Sequence, residues 1–178
     1  MRIPILESAA SVSGDAGEDI AALARQYGPV VFRAAWRVLG SRTAAEDVQQ
    51  QVFLRLIESP PRGVESWPAF LTTVATRLSI DHLRRQRRWK LLAPLWKADE
   101  PDDTPAEDAE RAEASRFMRA ALARLNPRDA SCFVMRHLHG LAPAAIGSAL
   151  GLSENHVSVS VHRARKALEA IAAKEQSR

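Results

Sequence analysis

The sequence holds a single cysteine, Cys132, which rules out an internal disulfide and a cysteine-based zinc site within one chain. Its apolar neighbours on an expected helix make it a small buried residue. Aromatic residues are only 6% of the chain, which suits small helical units built on Ala, Leu and Val. No apolar run approaches the length of a membrane span. The opening MRIPIL has one Arg and a short apolar patch broken by Pro4, too little for a secretory leader. A soluble cytoplasmic protein without membrane insertion is expected. No stretch shows strand alternation, so the expected class is all-α. There is also no Gly-rich phosphate loop, nucleophile motif or metal constellation, so no enzyme, catalytic residue, cofactor or metal site is expected. In His137-x-His139 the two rings point to different sides of a helix, which predicts one packed and one exposed histidine.

What the chain does have is unevenly placed charge. A formal net charge of +4 and a pI near 9.8 favour a polyanionic partner. Residues 1–90 carry thirteen Lys/Arg against nine acids, and residues 112–178 carry ten against five. Between them, residues 91–111 hold seven acids and two cations. Two basic modules flank an acidic segment, and 178 residues suffice for two small cores.

The most informative stretch is 141–168, LAPAAIGSALGLSENHVSVSVHRARKAL. Pro143 fits a first helical turn, and Ile146 and Leu150 give that helix one apolar face. Gly151 supplies a tight turn and Ser153 caps a second helix. Val157, Val161, Ala164 and Leu168 form its buried stripe, while Asn155, Ser158, His162, Arg163 and Lys166 lie opposite. This is a helix-turn-helix pattern. An ordinary helical hairpin with a solvated face has the same spacing. The outer face favours the former, offering amide, hydroxyl, imidazole and guanidinium groups against one acid, Glu154, and such groups suit base edges and phosphates.

Taken in order, residues 1–17 read as a disordered N-terminal tail. A helix is expected over 18–39, with Ile20, Leu23, Tyr27, Val31, Ala34 and Val38 inward, ended by Gly40. Ser41 or Thr43 caps a second helix over 44–57, Glu46 completing a capping box with Thr43. Val48, Val52 and Leu56 are its core, and Asp47, Gln50, Gln51 and Arg55 its outer side. Residues 58–66 form a loop, with two prolines and a glycine. A long helix follows from Trp67 to about Trp89, with Trp67, Phe70, Leu71, Val74, Leu78 and His82 or Leu83 inward. Arg77, Asp81, Arg84 and Arg88 share one side of it, widened by Arg85, Arg87 and Lys90. The last turns hold five cations and no acid, more than macrodipole complementation requires. The short apolar run 89–96 either packs back on the first module or seals a partner interface.

Residues 91–112 are expected to be a flexible acidic linker. Its roughly fifteen to twenty flexible residues reach about 50–65 Å when extended, letting the modules hold separate DNA sites with tethered, mutually reinforcing contacts. An Ala-rich helix over 106–125 follows, with Phe117, Ala121 and Leu125 as its stripe. Asn126 and Pro127 open another, lined inside by Phe133, Val134 and His137 or Leu138. The architecture expected is two small helical domains, 18–90 and 113–172, joined by that linker.

The order of elements resembles a bacterial RNA polymerase sigma factor of the extracytoplasmic-function (ECF) group, over about 20–90 and 113–168. Ala45-Glu46-Asp47-Val48-Gln49-Gln50-Gln51-Val52-Phe53-Leu54 is similar to the helix that docks on the clamp helices of the largest subunit of core RNA polymerase. The resemblance implies that Asp47, Gln50, Gln51 and Phe53 bind polymerase, although Gln51 stands where an acid is commoner. Ile80-Asp81-x-x-Arg84-Arg85 resembles the promoter-melting segment. Minus-ten contacts are thereby implied for Arg62, Trp67, Arg77, Asp81, Arg84, Arg85 and Arg88. Trp67 stands equally as a core residue at the helix start. Phe70-Leu71, with Arg77 where many members have Asn, is closer to the iron-starvation subgroup.

Leu125-Asn126-Pro127-Arg128 and the helix-turn-helix resemble the sigma domain that reads the minus-thirty-five element. Asn155, Ser158, Val159, His162, Arg163 and Lys166 are the implied readers. Ala145 replaces a usual Glu, Gly147 a usual Ala, and Ser158-Val159-Ser160 a frequent Lys-Ser-Arg. Fewer cations mean fewer phosphate contacts, each loss flattening the salt dependence by about 0.9 of a slope unit. Gly147 is expected to cost the helix up to about 1 kcal/mol relative to Ala. Promoter DNA, core polymerase and an anti-sigma factor are the implied partners. The competing reading is a helix-turn-helix regulator that binds DNA without polymerase.

Overall fold

The computed structural model describes residues 16–92 and 109–177, with side chains from 20 and from 110 onward. Residues 1–15 of the expected tail and 93–108 of the expected linker, with the end of the apolar run at 93–96, lie outside them, and residues 16–17 belong to the first helix. Seven helices make up the described residues, with no strand among them: α1 (Ala16–Leu39), α2 (Arg42–Glu58), α3 (Trp67–Leu92), α4 (Ala109–Leu122), α5 (Pro127–His137), α6 (Pro143–Leu150) and α7 (Glu154–Gln176).

Local chemistry sets the boundaries. Gly40 sits at φ +65°, its N–H bonded to the Trp36 carbonyl at 2.8 Å, and ends α1. Of Ser41 and Thr43, the structure uses Ser41: its Oγ accepts the Ala44 N–H at 3.3 Å. The Thr43 capping box does not form, because Glu46 pairs with Arg42 at 3.0 Å instead. Asn126 caps α5 as expected, accepting the Arg128 N–H at 3.0 Å, with Pro127 in the first turn. Two linker boundaries move. α3 runs on through Leu92, leaving Trp89, Leu91 and Leu92 exposed, and α4 begins at Ala109.

In the first module Val31, Ala34 and Val38 of α1 meet Val48, Val52 and Leu56 of α2 and Leu71, Leu78 and Leu83 of α3. Leu83, not His82, is the buried member of that pair. A smaller core of Cys132, Met135, Ile146 and Val157 holds the helix-turn-helix, flanked by Leu141, Leu150, Leu152 and Val161. On α5 Val134 is buried and Phe133 packs on the core as expected, and only the His137 or Leu138 position is corrected. His137 and Leu138 are exposed, and the buried set is Ala130, Ser131, Cys132, Val134 and Met135. Burial pushes the Cys132 thiol up to about 11, so it is an inert packing residue.

The two expected helical modules are both present, and they pack on one another. One continuous core joins α1–α3 to Leu122, Leu125, Ala130, Val134, Ala164 and Leu168. Across the seam Arg84 Nη1 donates to the Leu125 carbonyl at 2.9 Å, and Arg37 Nη1 to that of Leu138 at 3.3 Å. Thr73 Oγ1 lies 3.9 Å from Met135 Sδ. The Arg119 guanidinium of α4 lies over Gly40, where a Cβ would collide with it. What lets α3 be covered is that its buried hydroxyls need no outside partner. Thr73, Thr76 and Ser79 donate to the carbonyls of Ala69, Thr72 and Ala75 at 2.8, 2.7 and 2.8 Å. A face that reads as polar in sequence therefore buries without leaving a hydroxyl unsatisfied.

Candidate nucleic-acid and partner interfaces

On α2, four-residue steps of Val48, Val52 and Leu56 turn Asp47 and Gln50 to solvent. Leu54 and Ile57 share that strip, at 55% and 58% exposure, an uncommon display for large aliphatics. These two were missed in sequence because attention falls on the buried stripe, although their offsets of seven and ten from Asp47 place them on its face. Gln51 is half-buried. Phe53 is turned away and packs on the core, so it does not belong to the exposed strip.

The seven residues implied for minus-ten contact do not form one open surface. Arg62 in the 59–66 loop, and Asp81, Arg85 and Arg88 on α3, are exposed. Trp67 is half-buried, edge-on to Phe70 at 6.0 Å and 89°, and packs on the core. Arg77 and Arg84 are at the seam. Loss of hydration lowers the Arg77 pKa, with Asp81 opposing and Arg55 and Arg128 reinforcing the shift. Arg128 is at the start of α5, so the second module adds a cation beside two of the first.

The helix-turn-helix is as expected in its details. Gly151 is left-handed at φ +66°, and Ser153 Oγ accepts the His156 N–H at 3.3 Å. Val157, Ala164 and Leu168 are buried and Val161 half-buried. Ser160 is also buried, which the stripe alone did not reveal. Asn155, Ser158, Val159, His162, Arg163 and Lys166 are all exposed. Beside them lies a cleft of about 350 Å³, to which α5 adds Arg136 and His137 and α7 adds Arg165. No sequence spacing could have signalled the α5 pair, since α5 and α7 meet only in the fold. Gly147 is corrected from a liability to a requirement, since a Cβ there would lie 2.5 Å from the Leu152 carbonyl oxygen.

His139 is the packed member of its pair and His137 the exposed one. Its Nε2 is buried without a partner, and burial, then the Arg37 charge, pushes its pKa down to about 4. It lines a cleft of about 210 Å³ between the modules with Arg33, Arg37, Thr72 and Leu141. Among the described residues no three His, Cys, Asp or Glu gather where a metal ion could be held. No described helix is long and apolar enough to cross a membrane.

The fold and these faces define a two-module helical protein that ends in a helix-turn-helix. Residues 23–89 match the sigma-70 region 2 family and residues 118–168 the sigma-70 region 4 family. The chain is 32% identical over 165 residues to the ECF RNA polymerase sigma factor SigE of Mycolicibacterium smegmatis, covering 87% of this chain and 62% of that protein. It is 29% identical over 168 residues to the ECF sigma factor SigL of Mycobacterium tuberculosis, covering 89% and 93%. The sigma factor RpoE of Bartonella quintana, solved in complex with the anti-sigma factor NepR, shares the fold with a TM-score of 0.54 at 17% identity, over 87% of this chain and 97% of that one. The chain belongs to the ECF sigma factor family. It spans between 54% and 62% of the length of SigE and of two further curated relatives, BldN of Streptomyces coelicolor and SigI of Mycobacterium tuberculosis.

Proposed function

We propose that this chain binds core RNA polymerase and directs it to promoters, the first module opening the minus-ten element and the second anchoring the minus-thirty-five element. The observation that carries this reading is the pair of solvent-facing surfaces on two sigma regions of one chain: the Asp47–Gln50 strip with its exposed Leu54 and Ile57, and the outer face of α7. A strip of one acid, an amide and two bare aliphatics fits a protein partner, since such interfaces combine an apolar centre with a polar rim. The α7 face, with hydroxyl, amide and cationic groups, fits a DNA groove. No reaction is catalysed. Strand opening costs a few kcal/mol per unstacked base, and cations on the freed backbone with a stacking wall offset it. The α3 arginines and the 59–66 loop supply these, with Trp67 at the loop's end. Phe70-Leu71 together with Arg77 supports placement in the iron-starvation subgroup. An anti-sigma factor as partner and action in the cytoplasm accompany this reading.

Transcription from a candidate promoter by core polymerase, with and without the chain, tests it. The chain is expected to be required for specific transcript. Replacing Arg85 and Arg88 with Ala is expected to spare polymerase binding and reduce strand opening, read by permanganate reactivity of unpaired thymines. Specific, polymerase-independent promoter binding with no transcript would refute it in favour of a stand-alone regulator.

A further inference from the structure

The cleft of about 210 Å³ between the modules belongs to none of the faces assigned above, and its charge is all of one sign. Arg33 and Arg37 stand four residues apart on α1 and line it side by side. Thr72 of α3 brings a hydroxyl, and His139 and Leu141 close it from the turn between α5 and α6. No carboxylate lines it. Among the described residues the Arg33 guanidinium has no hydrogen-bond or ion-pair partner. Arg37 gives one N–H to the Leu138 carbonyl at 3.3 Å and keeps the rest of its fork. We propose that this cleft is a binding site for a small phosphoryl or sulfuryl dianion, held by the Arg33 and Arg37 guanidiniums against the His139 ring. The site is independent of polymerase and promoter binding.

Two guanidiniums with no acid between them repel, and a dianion turns that repulsion into two charge-assisted contacts. Walls from Val30, Ala34 and Leu141 keep water back, which strengthens each contact. The cleft is smaller than the roughly 300–1,000 Å³ of drug-sized sites. It therefore suits a free dianion or the phosphoryl end of a small metabolite, and it is too small for a nucleic-acid backbone. The turn that carries His139 is fixed in place. The His139 N–H donates to the Val134 carbonyl at 3.1 Å and the Leu141 N–H to that of Met135 at 3.0 Å, with Gly140 between them at φ +71°. Little ordering is left to be done on binding.

His139 couples the site to pH. Its Nε2 has no partner, and burial, then the Arg37 charge, keeps the ring neutral near pH 7. The charged groups about it are Arg33 and Arg37 on α1 and, on its own side, Arg136, which donates to the Leu141 carbonyl at 3.2 Å. From α3 the cleft receives only the Thr72 hydroxyl. A dianion beside Arg37 offsets the charge that opposes ring protonation. Anion binding then takes up a proton, and it tightens as pH falls.

The test titrates the full chain, labelled with nitrogen-15, with sodium phosphate against sodium chloride of equal ionic strength, read by backbone and arginine side-chain NMR shifts. Saturable shifts are expected at Arg33, Arg37, Thr72, His139 and Leu141. Arg33→Gln is expected to weaken binding at least about tenfold. Arg33→Lys, which keeps the charge and loses the fork, should weaken it less. Arg25→Gln, exposed on the same helix outside the cleft, should leave it unchanged. Sulfate, doubly charged at every pH used, reads the proton linkage. Its affinity is expected to rise about threefold from pH 7 to pH 5 and to stay flat in His139→Gln. Shifts that do not saturate, or that fall on the basic faces of α3 and α7 instead, mean an adventitious ion only and overturn the site. Undiminished binding by Arg33→Gln, with its helix content retained by circular dichroism, overturns it as well. An equal pH slope in His139→Gln overturns the part given to the ring.

Discussion

Gly147→Ala separates local helix propensity from tertiary geometry. Propensity alone favours Ala inside a helix by about 1 kcal/mol. In the folded chain the turn after α6 wraps back over this residue. The Leu152 N–H bonds to the Gly147 carbonyl at 2.8 Å, and a Cβ would lie 2.5 Å from the Leu152 oxygen. That oxygen belongs to a backbone fixed on one side by left-handed Gly151 and on the other by the Ser153 cap. It cannot swing aside as a flexible side chain would. Overpacking of this kind costs about 1–3 kcal/mol, and forced movement of a capped turn belongs at the upper end. The net expectation is a loss of about 1–2 kcal/mol, lowering Tm by about 2–8 °C for a chain of this length. Ser148→Ala, one residue on and exposed, is the control, with a gain of about 0.5 kcal/mol. Thermal unfolding followed by circular dichroism measures both. A Gly147→Ala protein as stable as the control, or more so, would refute the close-approach argument.

Three further expectations follow from named groups. His139 has its folded pKa depressed to about 4 from 6.5, so the unfolded chain binds the proton more readily. Its contribution to stability is complete above about pH 6.5 and is lost as pH falls toward 4, by about 1–2 kcal/mol once solvent at the ring edge is allowed for. Urea unfolding at pH 7, 6 and 5 should show this loss, and His139→Gln should flatten it; equal slopes for the two proteins count against the assignment. Asp47→Lys, at an exposed position, should leave the melting curve within about 0.5 kcal/mol of the parent while weakening core polymerase binding at least about tenfold in a pull-down titration. Undiminished binding argues against the α2 strip. Asn126→Ala removes the acceptor for the Arg128 N–H and should cost about 1 kcal/mol in denaturant unfolding; an unchanged midpoint would show that the cap is replaced by solvent.

Much of the candidate site was legible because it is local. An α7 outer face of Asn155, Ser158, His162, Arg163 and Lys166 follows once Val157, Ala164 and Leu168 are known to face inward. The two sides of one helix fix each other. The same logic exposes Asp47 and Gln50. It does not reach Phe53, whose contact role came from the resemblance and whose ring packs partly on the core. It fails for Arg136 and His137, which reach the α7 cleft only because α5 lies beside it.

From its sequence alone this chain determined seven helical segments, the Asn126 and Ser153 caps, the Gly151 turn and the inward stripe of α2, because each depends on residues within a few positions of one another. Tertiary structure alone decided that the modules share a core, that the Arg77–Arg84 line of α3 is covered, and that Gly147 tolerates no side chain. The physical reason is that a helix face of Thr, Ser and Arg reads as solvated at every spacing. Its hydroxyls bond within their own helix and Arg84 finds the Leu125 carbonyl in the distant turn between α4 and α5, and only the packed chain brings that acceptor within reach.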